Sequence, residues 1–367
     1  MLVPTQEAPF LTEKSVLKNL DSFAEEGSYK KLVHNIGIVF SSSESLNKSF
    51  LLDSASRQNS GTNVDIEAVR RMYAALFKTG DSSVENSLIN SLVALSPTLE
   101  VEMRFKSPSN DPNFLNQFVI IMENTMLQSP EYLDQALPSF LKAMALLSAK
   151  QQANLVHIWS QFSSQEIRRM VETLQQLVTY QVLTGPCATS TAPVQEDDAI
   201  VAATKVMKLL YYASVMGGIF DQTCLSNSHD GATGGDNEED PLVKELKIDV
   251  QDCRQPLVKY QEFVNDPLND QIEVDRDYTY YKHEKGTKFS FLKYNFILST
   301  VTKSMGLFYD NRIRMYSERR LTILYSLVRG EQGTPYLKLK VRRDHLIEDA
   351  LVNVSTCIVF IQLSPQP

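Results

Sequence analysis

SSQEIRRMVETLQQLVTYQV, residues 163–182, is the stretch whose reading decides the fold. Ser163 and Glu166, three residues apart, make a capping box, in which each side chain satisfies a backbone N–H that the start of a helix leaves free. Behind it Ile167, Met170, Val171, Leu174, Leu177 and Val178 return at helical spacing. The same grammar repeats along the chain. Asp65 is placed to cap IEAVRRMYAALFKT, where Ile66, Val69, Met72, Tyr73, Leu76 and Phe77 share a stripe and Gly80 ends it. Ser129–Pro130 opens a third helix with Leu133, Ala136, Leu137, Phe140, Leu141 and Met144 on one face, and Pro138 is expected to kink or split it. Asp197 and Asp198 suit the positive end of a fourth, whose face includes Ile200, Ala203, Met207, Leu210 and Ser214. Gly217–Gly218 is expected to close that helix with a left-handed residue.

Short spacings between these helices predict a helical-hairpin array, with no repeat close enough to define a particular solenoid. In the C-terminal third the pattern changes. Residues 277–283 (DYTYYKH) and 287–292 (TKFSFL) alternate and are aromatic-rich, with Glu284-Lys-Gly286 between them, which predicts a β-hairpin. Asn295–Leu307 and Ile313–Val328 return to helical or ambiguous patterns. Val341–Val352 reads as a short amphipathic helix with Leu346, Ile347, Ala350 and Leu351 on its apolar side. The expected fold is mostly α with a small β-hairpin-containing region.

Composition narrows the class without naming a function. The chain has 367 residues, 36 Lys+Arg against 44 Asp+Glu, and 4 Cys. A near-average globular composition argues against collagen, coiled coil and wholesale disorder. Scattered cysteines and no export signal in the first ten residues lead to the expectation of a soluble intracellular protein. The longest mostly apolar run, Leu351–Leu363, is shorter than the ~20 residues that span a bilayer. Charge is unevenly placed. Asp221–Asp240 holds six acidic residues and no Lys or Arg, so it is expected to form a mobile loop. Tyr309–Arg343 holds nine Lys/Arg and three acidic residues. Its arginines alternate with Ile313, Met315 and Tyr316, which favours a solvated or internally paired basic face over a nucleic-acid site.

The search for chemistry returns little. There is no GxGxxG and no GxxxxGK[ST]. Cys187, Cys224, Cys253 and Cys357 never approach CxxC spacing, and Cys224 with His229 offers too few ligands for structural zinc. His157, beside Trp159, reads as a packed core or boundary residue, and His34 and His345 as helix-surface or packing residues. Asp349 is placed to pair with His345, and Asp344 and Glu348 with Arg343. No catalytic, cofactor-binding or metal-binding residue is assigned, and no cofactor is expected.

Several long blocks carry a resemblance. They are SPEYLDQALPSFLKAM from Ser129, QEIRRMVETLQQLVTYQV from Gln165, DDAIVAATKVMKLLYYASVMGG from Asp197, DCRQPLV from Asp252 and FSFLKYNFIL from Phe289. YDNRIRMYSERRLTILYSLVRGEQ from Tyr309 and PYLKLKVRRDHLIEDALV from Pro335 continue the series. GIVFSSSESLNKSF and NVDIEAVRRMY extend it more weakly towards Leu11. Together they resemble HECT-type ubiquitin-protein ligases, of the kind affected in Angelman syndrome and exploited by papillomavirus oncoproteins.

The resemblance implies ubiquitin transfer through a cysteine thioester to a substrate lysine, which needs an exposed, activated thiolate. It also implies a division of the chain: 11–218 as helical substrate- and partner-binding region, 219–241 as acidic flexible loop, 242–336 as mixed pre-HECT region with the β-hairpin, 337–353 as the first helix of a truncated HECT domain, and 354–367 as a divergent apolar tail. The conjugating-enzyme and cysteine-bearing lobes are then missing. Thr356–Cys357 repeats a family dipeptide, but Ile358-Val359-Phe360 lacks the polar surroundings of the family site. No cysteine precedes Cys187, so the zinc-binding module the resemblance implies is not expected within these residues, and CLSNSHDGATGGDNEEDPL has no LxxLL-like core for viral capture. The chain is therefore expected to be a truncated ligase that binds but does not transfer. The alternative is a non-catalytic protein competing for the full ligase's partners. Implied partners are protein substrates, regulators of the ubiquitin pathway and the proteasome, in cytoplasm and nucleus, with neither membrane nor nucleic acid.

Overall fold

The structure, a computed structural model, describes residues 8–21, 27–52, 62–105, 111–189, 192–220, 240–282, 288–329 and 339–363. It divides into two bodies, one ending at Lys303 and the other beginning at Ser304.

The first body is built from helices α1 (Glu13–Asp21), α2 (Lys30–Phe40), α3 (Ser43–Asn47), α4 (Ile66–Lys78), α5 (Ser82–Phe105), α6 (Asn116–Met122), α7 (Leu137–Met144), α8 (Ala149–Trp159), α9 (Ser164–Thr184), α10 (Pro186–Thr189) and α11 (Asp198–Met216). Three shorter helices follow: α12 (Pro241–Leu246), α13 (Asp266–Gln271) and α14 (Val274–Lys282). Helix α11 lies at the centre, packed against α7, α8 and α9. It is apolar enough for a membrane span by length and composition. Yet Ala203, Val206, Met207, Leu210 and Ala213 are fully buried inside the bundle, as in the core helix of a water-exposed protein. Helix α5 packs against α2 and α7, so the strongest contacts there join helices distant in sequence.

Local signals set several helix starts. Asp65 accepts from the Ala68 N–H at 2.9 Å, and Asp197 accepts from Ala199 and Ile200. Ser163 and Glu166 form the expected capping box, and Ser148 with Gln151 forms a second at the start of α8. Pro138 has the expected effect by a specific route. It has no N–H to donate, and the turn before it, Tyr132–Ala136, widens into a π-helix in which Leu137 N–H reaches back to Tyr132. Leu133, Ala136, Leu137, Phe140, Leu141 and Met144 are all buried, and Phe140, Leu141 and Met144 are fully buried.

Two expectations are corrected. Residues 277–282 lie in helix α14, and Phe291–Lys293 is a 3₁₀ turn, so no β-hairpin forms from these segments; Glu284–Gly286 lie outside the described residues. Val274, Asp277 and Tyr278 are buried at helical spacing, and Asp275 and Asp277 sit in the first turn, where a helix dipole favours negative charge. The aromatics cluster instead of pairing across strands: Phe289 lies 5.0 Å from Tyr294, and Phe296 stacks on Tyr211 at 5.1 Å. The small antiparallel pair is elsewhere, between β1 (Ile219–Phe220) and β2 (Cys253–Gln255), with Ile219 opposite Gln255 and Phe220 opposite Cys253.

The second correction concerns Gly217, which has φ −79° and is right-handed. Close packing explains both glycines. A Cβ at Gly217 would lie 2.5 Å from Ser160 O, and one at Gly218 would lie 2.5 Å from Gln255 O. Gly80, by contrast, does end α4 with φ +61°.

The second body, described by itself, holds most of helix α15 (Thr300–Arg329) and all of helix α16 (Leu346–Leu363). The acidic stretch 221–239 and its expected mobility lie outside the described residues.

Candidate interaction surface

Polar side chains buried in the first body hold elements together. Glu123, only 1% exposed, accepts from Arg70 Nε at 2.7 Å and Arg169 Nη2 at 3.1 Å, joining α4, the end of α6 and α9. Arg70 also pairs with Glu67 and Glu166 and lies over the Phe162 ring at 5.2 Å. Asp277 is fully buried and accepts from Gln195 Nε2 (3.1 Å), Ser290 Oγ (2.8 Å) and the N–H groups of Phe291 and Leu292 (both 2.9 Å). Both carboxylates are engaged by fixed protein donors, which is the arrangement of a structural node. Their partners lie 13 to 82 residues away, so no local spacing signals them.

The thiols described are unsuited to carry a thioester. Burial pushes the Cys187 thiol up, and Asp197 beside it pushes the same way. Burial also raises Cys253, which is buried with its Sγ 3.5 Å from Val215 O. An activated cysteine needs the reverse shift. Cys224 and His229 lie outside the described residues; Cys357 falls within α16, with its side chain outside the description. Among the described residues no cluster of His, Cys, Asp or Glu is placed to hold a metal.

The histidines are brought to no common site. His34 is exposed, as a helix-surface residue should be. His157 is also exposed, not packed in the core: Val156 and Trp159 take the buried face of α8, and His157 turns away. His345 pairs with Glu348 (3.1 Å) and not with Asp349. Asp349 instead receives Arg342 through Nη2 (2.9 Å), Nε (3.0 Å) and the backbone N–H (2.8 Å), which takes the place expected for His345. Asn353 Nδ2 donates to Lys340 O at 3.3 Å, so the segment before α16 is tied to its first turns.

The second body's distinguishing feature is uncovered apolar surface. Met305, Phe308, Tyr316, Ile323 and Leu327 fall along one side of α15, and Leu321, Leu324, Tyr325 and Val328 along others; all are exposed, Leu327 and Val328 at 76%. A helix apolar on several sides is normally buried. On α16, Ile347 is 74% exposed, and Leu346, Leu351 and Val352 are exposed with it. Arg312 sits between two rings of its own helix, 6.0 Å from the Phe308 centroid and 5.8 Å from Tyr316. The basic face is thus interleaved with apolar and aromatic groups, in the composition of a surface that meets another protein.

Fold and surface together define a class: a mostly α scaffold with buried polar ties and a large apolar-basic face, and no assembled catalytic group among the described residues. Comparison places this within a wider relation. No protein-family model matches the chain. It is 24% identical over 352 residues to the probable E3 ubiquitin-protein ligase HECTD2 of Mus musculus, and 22% identical over 366 residues to that of Homo sapiens. The alignments cover 93% and 96% of this chain, but 39% and 41% of the relatives. The similarity supports a distant HECT-family relation, with the chain spanning about two fifths of the length of these relatives. It does not single out the Angelman-syndrome kind.

Proposed function

We propose that this chain is a partner-binding region of a HECT-type ubiquitin ligase, and that it binds without transferring ubiquitin. The observation that carries the reading is the exposed face of α15 and α16 on a chain related to such ligases over more than nine tenths of its length. Uncovered apolar surface of this extent favours burial against another folded surface, at about 25 cal/mol for each Å² removed from water. The catalytic lobes of a HECT domain are one such surface, and ubiquitin-pathway proteins are the others. Cytoplasmic and nuclear location and a relation to the Angelman-syndrome kind belong to the same proposal, the latter resting on the sequence blocks alone.

Binding is tested by pull-down, comparing immobilised chain with a full-length HECT-type ligase. Shared ubiquitin-pathway partners are expected, with capture reduced by Ile347→Asp with Leu351→Asp, which change exposed side chains only. No shared partner would remove the reading.

A further inference from the structure

A cleft of about 190 Å³ opens on the first body, away from every group discussed above except His157. Its walls come from three separate parts of the chain: Thr62 and Asn63; Pro112, Leu115 and Asn116; and Asn154, His157 and Ile158 of α8. No Asp, Glu, Lys or Arg lines it.

The walls are held from behind. Asn63 Nδ2 donates to Asn113 Oδ1 at 2.9 Å, and the Asn63 carbonyl accepts from Leu52 N–H at 2.9 Å. Asn116, only 3% exposed, donates through Nδ2 to Asn47 O at 3.1 Å, while Asn47 Oδ1 accepts from Gln117 N–H at 3.1 Å. These bonds hold both carboxamides through one N–H of each NH₂ group, and the Oδ1 acceptors of Asn63 and Asn116 make no hydrogen bond among the described residues. Asn154 and His157 are exposed, and their side chains have no partner among the described residues. Two further buried atoms adjoin the cleft-lining residues in sequence without partners: Gln117 Oε1, next to Asn116, and Gln151 Nε2, one turn before Asn154 on α8.

We infer that this cleft binds an extended, uncharged peptide segment of a protein partner. Fixed carboxamide oxygens accept from backbone N–H groups, and Asn154 offers both a donor and an acceptor to the peptide group. Leu115, Ile158 and Pro112 supply an apolar wall for one side chain. The volume is below the roughly 300–1,000 Å³ of pockets for drug-sized ligands, so the cleft fits one residue and its flanking peptide groups, not a cofactor. The neutral lining separates this site from the basic face of the second body: binding here is expected to be insensitive to salt.

The probe is a library of random linear peptides displayed on phage and selected on the full chain. Selected peptides are then measured by calorimetry against the full chain and against Asn154→Leu and His157→Leu. Both substitutions alter exposed side chains, and His34→Leu on α2 serves as a control. The expected result is enriched peptides whose affinity falls about tenfold or more in each cleft variant, stays level in the control, and is unchanged by added salt. Absence of enrichment, or peptides indifferent to both cleft variants, overturns the inference, as does affinity that collapses with salt. Ubiquitin-pathway partners captured through α15 and α16 are read separately, so the two proposals fail independently.

Discussion

At the residue scale, Asp277 meets four donors from two segments, Gln195 and residues 290–292, and two of them are backbone N–H groups. Asp277→Ala should cost about 3 kcal/mol, because the buried donors lose a charged acceptor and gain nothing. Urea denaturation checks this; a change below ~1 kcal/mol would show that the node is dispensable. Asp349 makes a different prediction. Its hydrogen bonds from Arg342 hold its carboxyl below the usual range. A carboxylate lowered in the folded state contributes stability above its unfolded pKa of about 3.9, and that contribution is lost as pH falls through the lower folded value. The ¹³C titration of the Asp349 carboxyl should therefore have its midpoint below that of an unstructured aspartate, and Arg342→Ala, which removes the guanidinium bonds and keeps the backbone N–H, should raise it part of the way back. The residues legible in advance were those acting on their own neighbours: Asp65, Ser163, Glu166 and Asp197 are caps whose partners lie two or three residues away. Glu123 and Asp277 were not legible, since their meaning depends on partners brought close by folding.

At the element scale, the misread segments show where short patterns fail. DYTYYKH alternates like a strand, yet burial of Val274, Asp277 and Tyr278 follows the helix period, and the Asp277 clamp fixes the helix against residues 290–292. Gly217–Gly218 ends its helix through close packing and not through a left-handed residue. The cause separates glycines experimentally. Gly218→Ala places a methyl 2.5 Å from Gln255 O, 2.9 Å from Cys253 Sγ and 2.9 Å from Pro256 Cα, so the β1–β2 pairing must shift. Gly80→Ala meets nothing within 4 Å and is penalised only for its φ of +61°. Thermal unfolding should rank Gly218→Ala as the more damaging, by about 1–3 kcal/mol beyond the roughly 1 kcal/mol expected at Gly80. Equal effects would contradict the packing account.

At the scale of the whole molecule, the two bodies differ in kind. The first buries large side chains such as Trp159, Phe118 and Phe140, and its buried carboxylates Glu123 and Asp277 hold elements together. The second presents apolar and basic side chains outward. Helical patterning was legible for the first because its apolar stripes and caps are local. The exposed state of α15 and α16 was not, because sequence periodicity tells which side chains are apolar and not what covers them. The central claim is that this chain binds and does not carry ubiquitin. Its most direct test is incubation of the purified chain with ubiquitin, activating enzyme, conjugating enzymes and ATP, followed by non-reducing electrophoresis and mass spectrometry. The account predicts no thiol-sensitive ubiquitin adduct on the chain, while a full-length HECT-type ligase in the same mixture is charged. An adduct on Cys357, lost on treatment with a reducing thiol and in Cys357→Ser, would contradict it.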